Sequence, residues 1–327
     1  MRRKLYLVTG GAGFIGSNIV EELLRRGERV RILDNFLTGS MRNIDSAFES
    51  AGRIWGECRV KDNLQLIKGD IRDLNACRKA CKGVDYVLHQ AALRSVPKSV
   101  ENPYLTNDVN VAGTLNMLMA ACDAGIRRFV YASSSSVYGD VKSFPQKEAM
   151  PTAPISPYGV SKLAGENYAL AFAKTFGLET VSLRYFNVFG PRQNPESKYS
   201  AAIPALLSRI LKNKAPIVEW DGRQSRDFTY VGNVVGANLN ALLAKDASGE
   251  VVNVACGSTI SILEIIRVLN EILGLRLKPV FAPKRSGDVR KTYADITKMR
   301  KLLKVNRIVE FEEGLRSTVG WFSRVLL

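Results

Sequence analysis

LYLVTGGAGFIG, residues 5–16, joins a short apolar run to a glycine-rich turn. The apolar run at residues 5–8 has the length and composition of a buried strand, and the pattern over residues 14–26 predicts a helix. A strand, a glycine-rich turn and a helix in direct succession are typical of the first unit of a parallel α/β sheet. This stretch therefore predicts the fold class.

The glycines of this turn, Gly10, Gly13 and Gly16, have the spacing GxxGxxG. The first permits a tight turn, the second lets the backbone approach a pyrophosphate, and the third allows close packing of helix on strand. Phosphates would then lie at the helix N-terminus, beside Phe14 and Ile15, where unpaired N–H groups and the helix dipole favour negative charge. The turn therefore predicts a dinucleotide site.

An acidic residue ends the second predicted strand. Asp34 follows Gly16 by 18 residues, where a carboxylate can accept hydrogen bonds from the adenosine ribose and would repel the extra phosphate of NADP. No arginine follows it directly, so the sequence favours NAD, and we include Asn35 in the cofactor site. The alternative interpretation is an ordinary turn with an exposed aspartate.

Short apolar runs alternate with helical patterns through the first half of the chain. The predicted strands are residues 5–8, 30–33, 64–67, 86–88, 129–131 and 180–184. The predicted helices are residues 14–26, 44–49, 74–81 and 109–124, with another from about 157. Strands separated by helices in this way imply a doubly wound parallel sheet with both faces covered.

The sequence changes character beyond residue 187. Loops rich in Pro, Gly, Arg and Asn separate predicted helices at residues 201–211 and 262–273. We therefore predict a first domain at residues 1–182 and a smaller C-terminal α/β substrate-binding lobe at residues 183–327. The boundary is soft, since the chain is expected to return to the first domain near residues 232–245.

The composition excludes several classes of protein. The chain has 327 residues, of which 46% are hydrophobic, and its apolar stretches are far shorter than the roughly 20 residues of a membrane span. The basic N-terminus runs directly into the first strand, so we expect no leader, no membrane association and a cytoplasmic location. With five cysteines, no CxxC pair and one histidine, no metal site is expected.

The chain is basic, with 47 Lys and Arg against 31 Asp and Glu and a net charge of +16. Such a surplus is compatible with nucleic acid, an acidic small substrate or a solvated basic surface. No repeat, RGG stretch or low-complexity tail strengthens the first interpretation, so no nucleic-acid partner is expected.

Two segments carry candidate chemistry. In residues 156–162, SPYGVSK, Ser156 suits an N-cap and Pro157 the first helical position, so Tyr158 and Lys162 lie at i and i+4 on one helix face. An ammonium group beside a phenol favours the phenolate, which can act as a base. Residues 131–139, YASSSSVYG, put hydroxyl groups directly after a strand, at the sheet edge where ligands bind.

Together these motifs resemble the extended short-chain dehydrogenase/reductases. The resemblance rests on TGGAGFIG (residues 9–16), the Tyr158/Lys162 pair, the serine run ending in VYG, and LRYFNVFG (residues 183–190). Within that group the chain is most similar to the UDP-hexose 4-epimerases, and closest to the UDP-N-acetylglucosamine 4-epimerase subgroup. The resemblance implies a Rossmann fold, tightly bound NAD that is regenerated in each cycle, and epimerisation at C4 through a 4-keto sugar.

The resemblance also assigns residues to the reaction and the cofactor. It makes Tyr158 the catalytic base and Ser134 its hydroxyl partner, while Lys162 binds the nicotinamide ribose. Further cofactor contacts fall on Asp70, Ile71, Ala91, Asn110 and Tyr185. His89, the only histidine, is interpreted as a packing residue.

For the UDP-sugar, the resemblance implies a second set of residues. Arg226 and Arg285 match diphosphate-binding arginines, Asp288 matches a ribose-binding acid, and Asn187 a diphosphate- or sugar-binding residue. Thr292 matches the position whose size separates N-acetylated from plain hexoses, and with Gln193 it indicates UDP-GlcNAc and UDP-GalNAc, with UDP-Glc and UDP-Gal as further substrates. Arg94 is included in the substrate site but departs from that subgroup.

Several alternatives stay open at this stage. Arg94 would suit a uronate carboxylate, so UDP-glucuronate 4-epimerase is one alternative, and a non-catalytic Rossmann protein that binds RNA is another. A reductase using soluble NADPH is disfavoured by Asp34, and dehydration is disfavoured because Ser135 and Ser136 replace the acids of the dehydratases. Finally, the resemblance implies a homodimer formed through helices at about residues 109–124 and 157–176.

Overall fold

The computed structural model describes residues 3–55, 63–194, 202–284 and 290–326. The strands of its main sheet are β1 (Leu5–Thr9), β2 (Arg29–Asp34), β3 (Leu64–Lys68), β4 (Tyr86–His89), β5 (Arg128–Ser134), β6 (Thr180–Tyr185) and β11 (Glu250–Val254). Within the described residues these seven strands are all parallel, in the order β11-β6-β5-β4-β1-β2-β3. The predicted doubly wound Rossmann fold is confirmed, and its strand order reverses between β1 and β4.

Helices cover both faces of this sheet. They are α1 (Phe14–Arg25), α2 (Met41–Trp55), α3 (Leu74–Cys81), α4 (Val96–Glu101), α5 (Pro103–Asn107), α6 (Gly113–Asp123), α7 (Pro157–Thr175), α9 (Val231–Leu243) and α11 (Thr297–Leu302). Leu7 packs with Phe129 in the core beneath α3, α6 and α7, whereas its neighbour Val8 packs with Ile32 in the core beneath α1 and α9. Burial on both faces explains why strands such as β1 and β4 are continuous apolar runs, whereas the edge strand β3 is partly exposed.

A second, smaller body lies beyond β6. Its helices are α8 (Ala202–Ile210), α10 (Ile262–Leu273) and α12 (Phe311–Leu326), which pack around Phe189, Phe228 and Phe311. Its short strands are β7 (Val188–Phe189), β8 (Ile217–Glu219), β9 (Ser225–Arg226), β10 (Thr229–Tyr230), β12 (Ile260–Ser261), β13 (Val280–Ala282) and β14 (Lys291–Thr292). This body carries several of the predicted substrate residues.

The chain returns to the main sheet between these elements. Helix α9 packs on α1, and β11 pairs in parallel with β6. Residues 231–254 therefore add a helix and a strand to the sheet although they follow residue 183. The division into domains at residues 1–182 and 183–327 stays a prediction.

One predicted helix is interrupted. Residues 109–124 do not form a uniform α-helix, because residues Asp108–Ala112 form a π-helical turn before α6 begins at Gly113. The wider turn accompanies Asn110, whose side chain pairs with the Leu93 backbone in both directions, at 2.8 and 2.9 Å. A π-turn inside a helix is frequently found at a functional site.

Candidate active site

A cavity of about 450 Å³ opens at the carboxyl edge of the sheet, where β1, β2, β4, β5 and β6 end. The predicted site residues that line it are Gly10, Gly13, Phe14, Ile15, Gly16, Asp34, Asn35, Ile71, Ala91, Arg94, Ser134, Tyr158, Lys162, Tyr185, Asn187 and Gln193. Asp70, Asn110, Arg226 and Thr292 lie outside its lining, and Arg285 and Asp288 lie outside the described residues. The sequence motifs thus converge at one cavity.

The glycine turn at one end of this cavity fits a dinucleotide. Gly10 has φ +66°, and a side chain there would place its Cβ 2.8 Å from the Ala91 backbone nitrogen. At Gly16 an added Cβ would overlap the Gly10 carbonyl oxygen. Gly13 is the N-cap residue of α1, and no side chain of the described residues caps the helix there, so the first N–H groups of α1 remain available for a phosphate.

Asp34 is buried at the end of β2. Its carboxylate accepts from the backbone N–H groups of Ala12 (2.9 Å) and Phe36 (2.8 Å), which tie the glycine turn to the following loop. Burial raises the pKa of Asp34, while these two hydrogen bonds lower it. Each carboxylate oxygen keeps a second lone pair, so Asp34 can also accept from a ribose hydroxyl.

Asp70 does not line the cavity itself but contacts Asn35, which does. The Asn35 amide donates to Asp70 at 2.8 Å, and the hydrogen bonds from Arg72 lower the pKa of Asp70 to about 2. Ile71, next in the chain, lines the cavity. Asp70 therefore orients Asn35 at the predicted cofactor site.

Tyr158, Lys162 and Ser134 meet at the other end of the cavity. Burial raises the pKa of Tyr158, whereas a hydrogen bond from Ser134 and the positive charge of Arg94 lower it. Ser134 is itself oriented by the Ser136 hydroxyl, which donates to it at 2.9 Å. The three groups form the arrangement that a base needs: a phenol, a hydroxyl donor and nearby cations.

Lys162 is buried beneath this arrangement. Its Nζ donates to the Ala132 carbonyl at 2.8 Å and lies 5.2 Å from the centroid of the Tyr131 ring. Burial lowers its pKa to about 7. Lys162 therefore titrates near neutral pH and retains donors for a ribose hydroxyl.

Asn187 separates this cavity from a second one of about 480 Å³. Its amide donates to the Thr292 hydroxyl at 3.0 Å and to the Asp227 carbonyl at 3.1 Å. The second cavity is lined by Arg226 and Arg209, and by apolar side chains that include Phe228. Arg226 is thus close to Asn187 but faces a different space from Tyr158.

Two neighbouring side chains in the first cavity are almost fully buried. Gln193 is 1% exposed, and its Oε1 has no hydrogen-bond partner among the described residues. Arg192 reaches from the loop after β7 to Asn18 and Glu21 of α1. Sequence reasoning missed Arg192, since its left-handed backbone (φ 68°) and its partners become visible only in the fold.

Three residues named in the sequence analysis form hydrogen bonds with neighbouring side chains. Tyr185 forms hydrogen bonds with Gln90 (3.2 Å) and Asn238 (3.0 Å), two residues that sequence reasoning also missed. Asn110 donates to Ser161 at 3.0 Å, next to Lys162 in the chain. His89 lies between Thr9 and Thr114 in the core, and burial lowers its pKa to about 3, so it stays neutral.

No group of three His, Cys, Asp or Glu side chains within the described ranges is placed to hold a metal ion. In the same part of the chain, no helix is long and apolar enough to span a membrane.

Comparison with known proteins identifies the family. The family model described as NAD dependent epimerase/dehydratase matches residues 6–255. A putative UDP-glucose 4-epimerase of Methanocaldococcus jannaschii is 39% identical over 319 residues, which cover 97% of this chain and 98% of that protein.

Two solved structures are also similar. The UDP-N-acetylglucosamine 4-epimerase from Methanobrevibacter ruminantium M1, in complex with UDP-N-acetylmuramic acid, has a TM-score of 0.89 and 38% identity, over 98% of this chain and 99% of that one. UDP-glucuronic acid 4-epimerase from Bacillus cereus, in complex with UDP-glucuronic acid and NAD, has a TM-score of 0.86 and 33% identity, over 98% and 99%. The predicted family and cofactor are therefore confirmed: the chain belongs to the NAD-dependent epimerase/dehydratase family.

Proposed function

We propose that this protein epimerises C4 of a UDP-hexose through a 4-keto intermediate, with NAD that stays bound. The observation that carries the proposal is the convergence of Tyr158, Lys162 and Ser134 in the cavity that also contains the glycine turn. Relatives along the whole chain that are named UDP-sugar 4-epimerases support it. The RNA-binding alternative gains no support, since a pure binder has no need of these three residues.

The proposed chemistry assigns one task to each residue. NAD, when bound, would supply a reversible hydride acceptor for C4. Tyr158 removes the proton of the C4 hydroxyl and later gives it back, while Ser134 orients that hydroxyl. Lys162 holds a ribose hydroxyl and stabilises the Tyr158 phenolate through its charge.

The two cavities suggest how the sugar turns over while the nucleotide is retained. The sugar would occupy the space beside Tyr158, and the nucleotide the second cavity, with its diphosphate near Arg226. Asn187 stands at the junction of the two. Firm binding on the nucleotide side leaves the keto sugar free to present its opposite face.

For the sugar itself, we favour UDP-GlcNAc and UDP-GalNAc. A buried oxygen without a partner is costly, and Gln193 Oε1 would gain one from an N–H group such as that of an N-acetyl substituent. Thr292 accepts a hydrogen bond from the Asn187 amide, and a small residue at this position resembles the enzymes that admit N-acetyl sugars. UDP-Glc and UDP-Gal would fit the same space with the Gln193 oxygen unpaired.

UDP-glucuronate is the second candidate. Arg94 lines the cavity close enough to Tyr158 for its charge to lower the pKa of that phenol. A guanidinium at this position suits a carboxylate on the sugar. The Bacillus cereus relative named UDP-glucuronic acid 4-epimerase gives this candidate a precedent.

The test is to incubate the purified protein separately with UDP-GlcNAc, UDP-glucose and UDP-glucuronate, without added NAD, and to follow each by proton NMR. We expect conversion to the C4 epimer, fastest for UDP-GlcNAc, and none with Tyr158→Phe. Conversion of UDP-glucuronate alone would favour the second candidate. Failure with all three sugars, even after NAD is added, would rule out the proposed reaction.

A further inference from the structure

Three side chains of α7 face residues 132–134 at the end of β5. Tyr158, Lys162 and Glu166 are spaced i, i+4 and i+8, so they lie along one face of the helix. Lys162 donates to the carbonyl of residue 132, and Tyr158 lines the same cavity as Ser134. The third, Glu166, accepts a hydrogen bond from the Ser133 hydroxyl at 2.8 Å.

Glu166 is also bound from the neighbouring strand. Arg184 of β6 pairs in register with Ser133, and its Nε donates to the same Glu166 oxygen at 3.0 Å. Its Nη2 binds the other carboxylate oxygen at 2.5 Å, and the guanidinium lies 4.6 Å from the centroid of the Tyr138 ring. All three side chains are buried, and Ser133 also borders the first cavity. Glu166 and Arg184 line neither cavity, so Glu166 contacts the protein and no ligand.

A buried ion pair is weak evidence for stability, because desolvating both charges offsets their attraction. The Glu166–Arg184 pair fixes the position of α7 on the sheet. Glu166 accepts hydrogen bonds from Ser133 of β5 and from Arg184 of β6, and both can form only when the helix lies in one place on the two strands. Tyr158 lies eight residues earlier on the same helix, about 12 Å away at 1.5 Å per residue. A shift of α7 at Glu166 would therefore displace the Tyr158 hydroxyl from Ser134.

We propose that Glu166 is a positioning residue for the reaction: by binding Ser133 and Arg184, it sets the position of α7 on β5 and thereby the contact between Tyr158 and Ser134. The proposal rests on the catalytic role proposed for Tyr158. A displacement of about 1 Å at a reacting group can cost about 100-fold in rate.

Four variants test this proposal. Ser133→Ala removes the link from strand to helix and keeps the buried ion pair, whereas Glu166→Gln removes the charge that Arg184 needs. Ser133→Thr restores the hydroxyl. Ser182→Ala is the matched control, because Ser182 has the same 3% exposure as Ser133, lies two residues from Arg184, and donates to no carboxylate in the described part of the chain.

We expect Ser133→Ala to lower kcat about tenfold with KM, bound NAD and Tm nearly unchanged, and Glu166→Gln to lower kcat further. Ser133→Thr should recover most of the loss, and Ser182→Ala should match the wild type. A purely structural role predicts the reverse, with Tm lowered and kcat of the folded protein intact. Wild-type kcat in Ser133→Ala would overturn the proposal even if Glu166→Gln failed to fold.

A second measurement does not depend on epimerisation. The absorbance of ionised tyrosine can be followed as a function of pH in the NAD-loaded protein. The part of the titration curve that is missing in Tyr158→Phe belongs to Tyr158. We expect Ser133→Ala to raise the pKa of that component and Ser182→Ala to leave it in place. If the wild type epimerises none of the sugars but Ser133→Ala still shifts this pKa, the proposed function fails and the role of Glu166 in positioning Tyr158 stands. If Ser133→Ala does not shift the pKa, the positioning role fails.

Discussion

Burial disfavours the charged form of Lys162, whereas the proposed reaction uses its positive charge. Burial lowers the pKa of this ammonium from 10.5 to about 7, so the folded protein gives up a proton that the unfolded chain keeps up to about pH 10. Because the unfolded state binds more protons between about pH 7 and 10, the free energy of unfolding should rise with pH across that window. Below pH 7 the stability penalty of the buried charge is fully present.

Lys162→Met should therefore lower kcat by about 100-fold or more and abolish this contribution to the pH dependence of stability. The check is denaturant unfolding of the NAD-free wild type and variant at pH 6.5 and at pH 9.5. We expect the wild type to gain stability relative to the variant as the pH rises. A difference between the two proteins that does not change with pH would contradict the lowered pKa. Lys174→Met, on the exposed side of α7, serves as the control for activity.

Sequence alone predicted Tyr158 and Lys162 because helical spacing brings i and i+4 together whatever the surrounding fold. It did not predict the bond between Asn187 and Thr292, which are 105 residues apart. Asn187 also has φ 35°, a backbone conformation that no local pattern specifies. The sugar end of the site depends on contacts of this kind, which is why sequence reasoning assigned it only by resemblance.

At the scale of elements, the close approach of α7 to β5 depends on a residue without a side chain. A Cβ added at Gly165 would overlap the Tyr131 hydroxyl, which itself bonds to the Lys162 carbonyl. Gly165→Ala should therefore force the helix off the strand and lower the free energy of unfolding by about 1–3 kcal/mol, as overpacking does. It should also lower kcat, because Tyr158 moves with the helix. Denaturant unfolding and sugar conversion measure the two effects.

Gly236→Ala in α9 is the matched control. A Cβ at Gly236 would meet no atom within 4 Å, so the same substitution should stabilise the protein by up to about 1 kcal/mol through helix propensity alone. It should leave kcat unchanged. If both alanine variants are stabilised, α7 does not depend on Gly165 for its position.

The elements themselves were predictable where burial on both faces produces a continuous apolar run, as in β1 and β5. Strand β11 was not predicted, since its pairing with β6 joins residues about 70 positions apart in the chain. The π-helical turn at Asp108–Ala112 was missed for a different reason. Its apolar pattern continues into α6, and only the contacts of Asn110 distinguish the two.

For the whole molecule, apolar side chains on one surface suggest how two copies would associate. Val100 and Tyr104 are exposed on α4 and α5, and Val160 and Tyr168 on α7, and these helices pack against one another. A contiguous exposed apolar patch is typical of an interface, and a homodimer would cover it with the same patch of a second copy. The family resemblance implies a homodimer through helices at about residues 109–124 and 157–176. We propose that the interface includes α7, as that implies, and that it extends to the exposed side chains of α4 and α5.

Val160→Glu should convert such a dimer to monomers, because each interface would bury two uncompensated carboxylates related by the two-fold axis. Val280→Glu is the control, since Val280 on β13 is 56% exposed against 54% for Val160 and lies in the smaller lobe. Size-exclusion chromatography with light scattering should give half the wild-type mass for Val160→Glu and the wild-type mass for Val280→Glu. Since the site of each copy is built from its own β5 and α7, the monomeric variant should keep its NAD. A wild-type mass for Val160→Glu would exclude this face of α7 as the interface, whereas a loss of mass with Val280→Glu would place the interface on the smaller lobe.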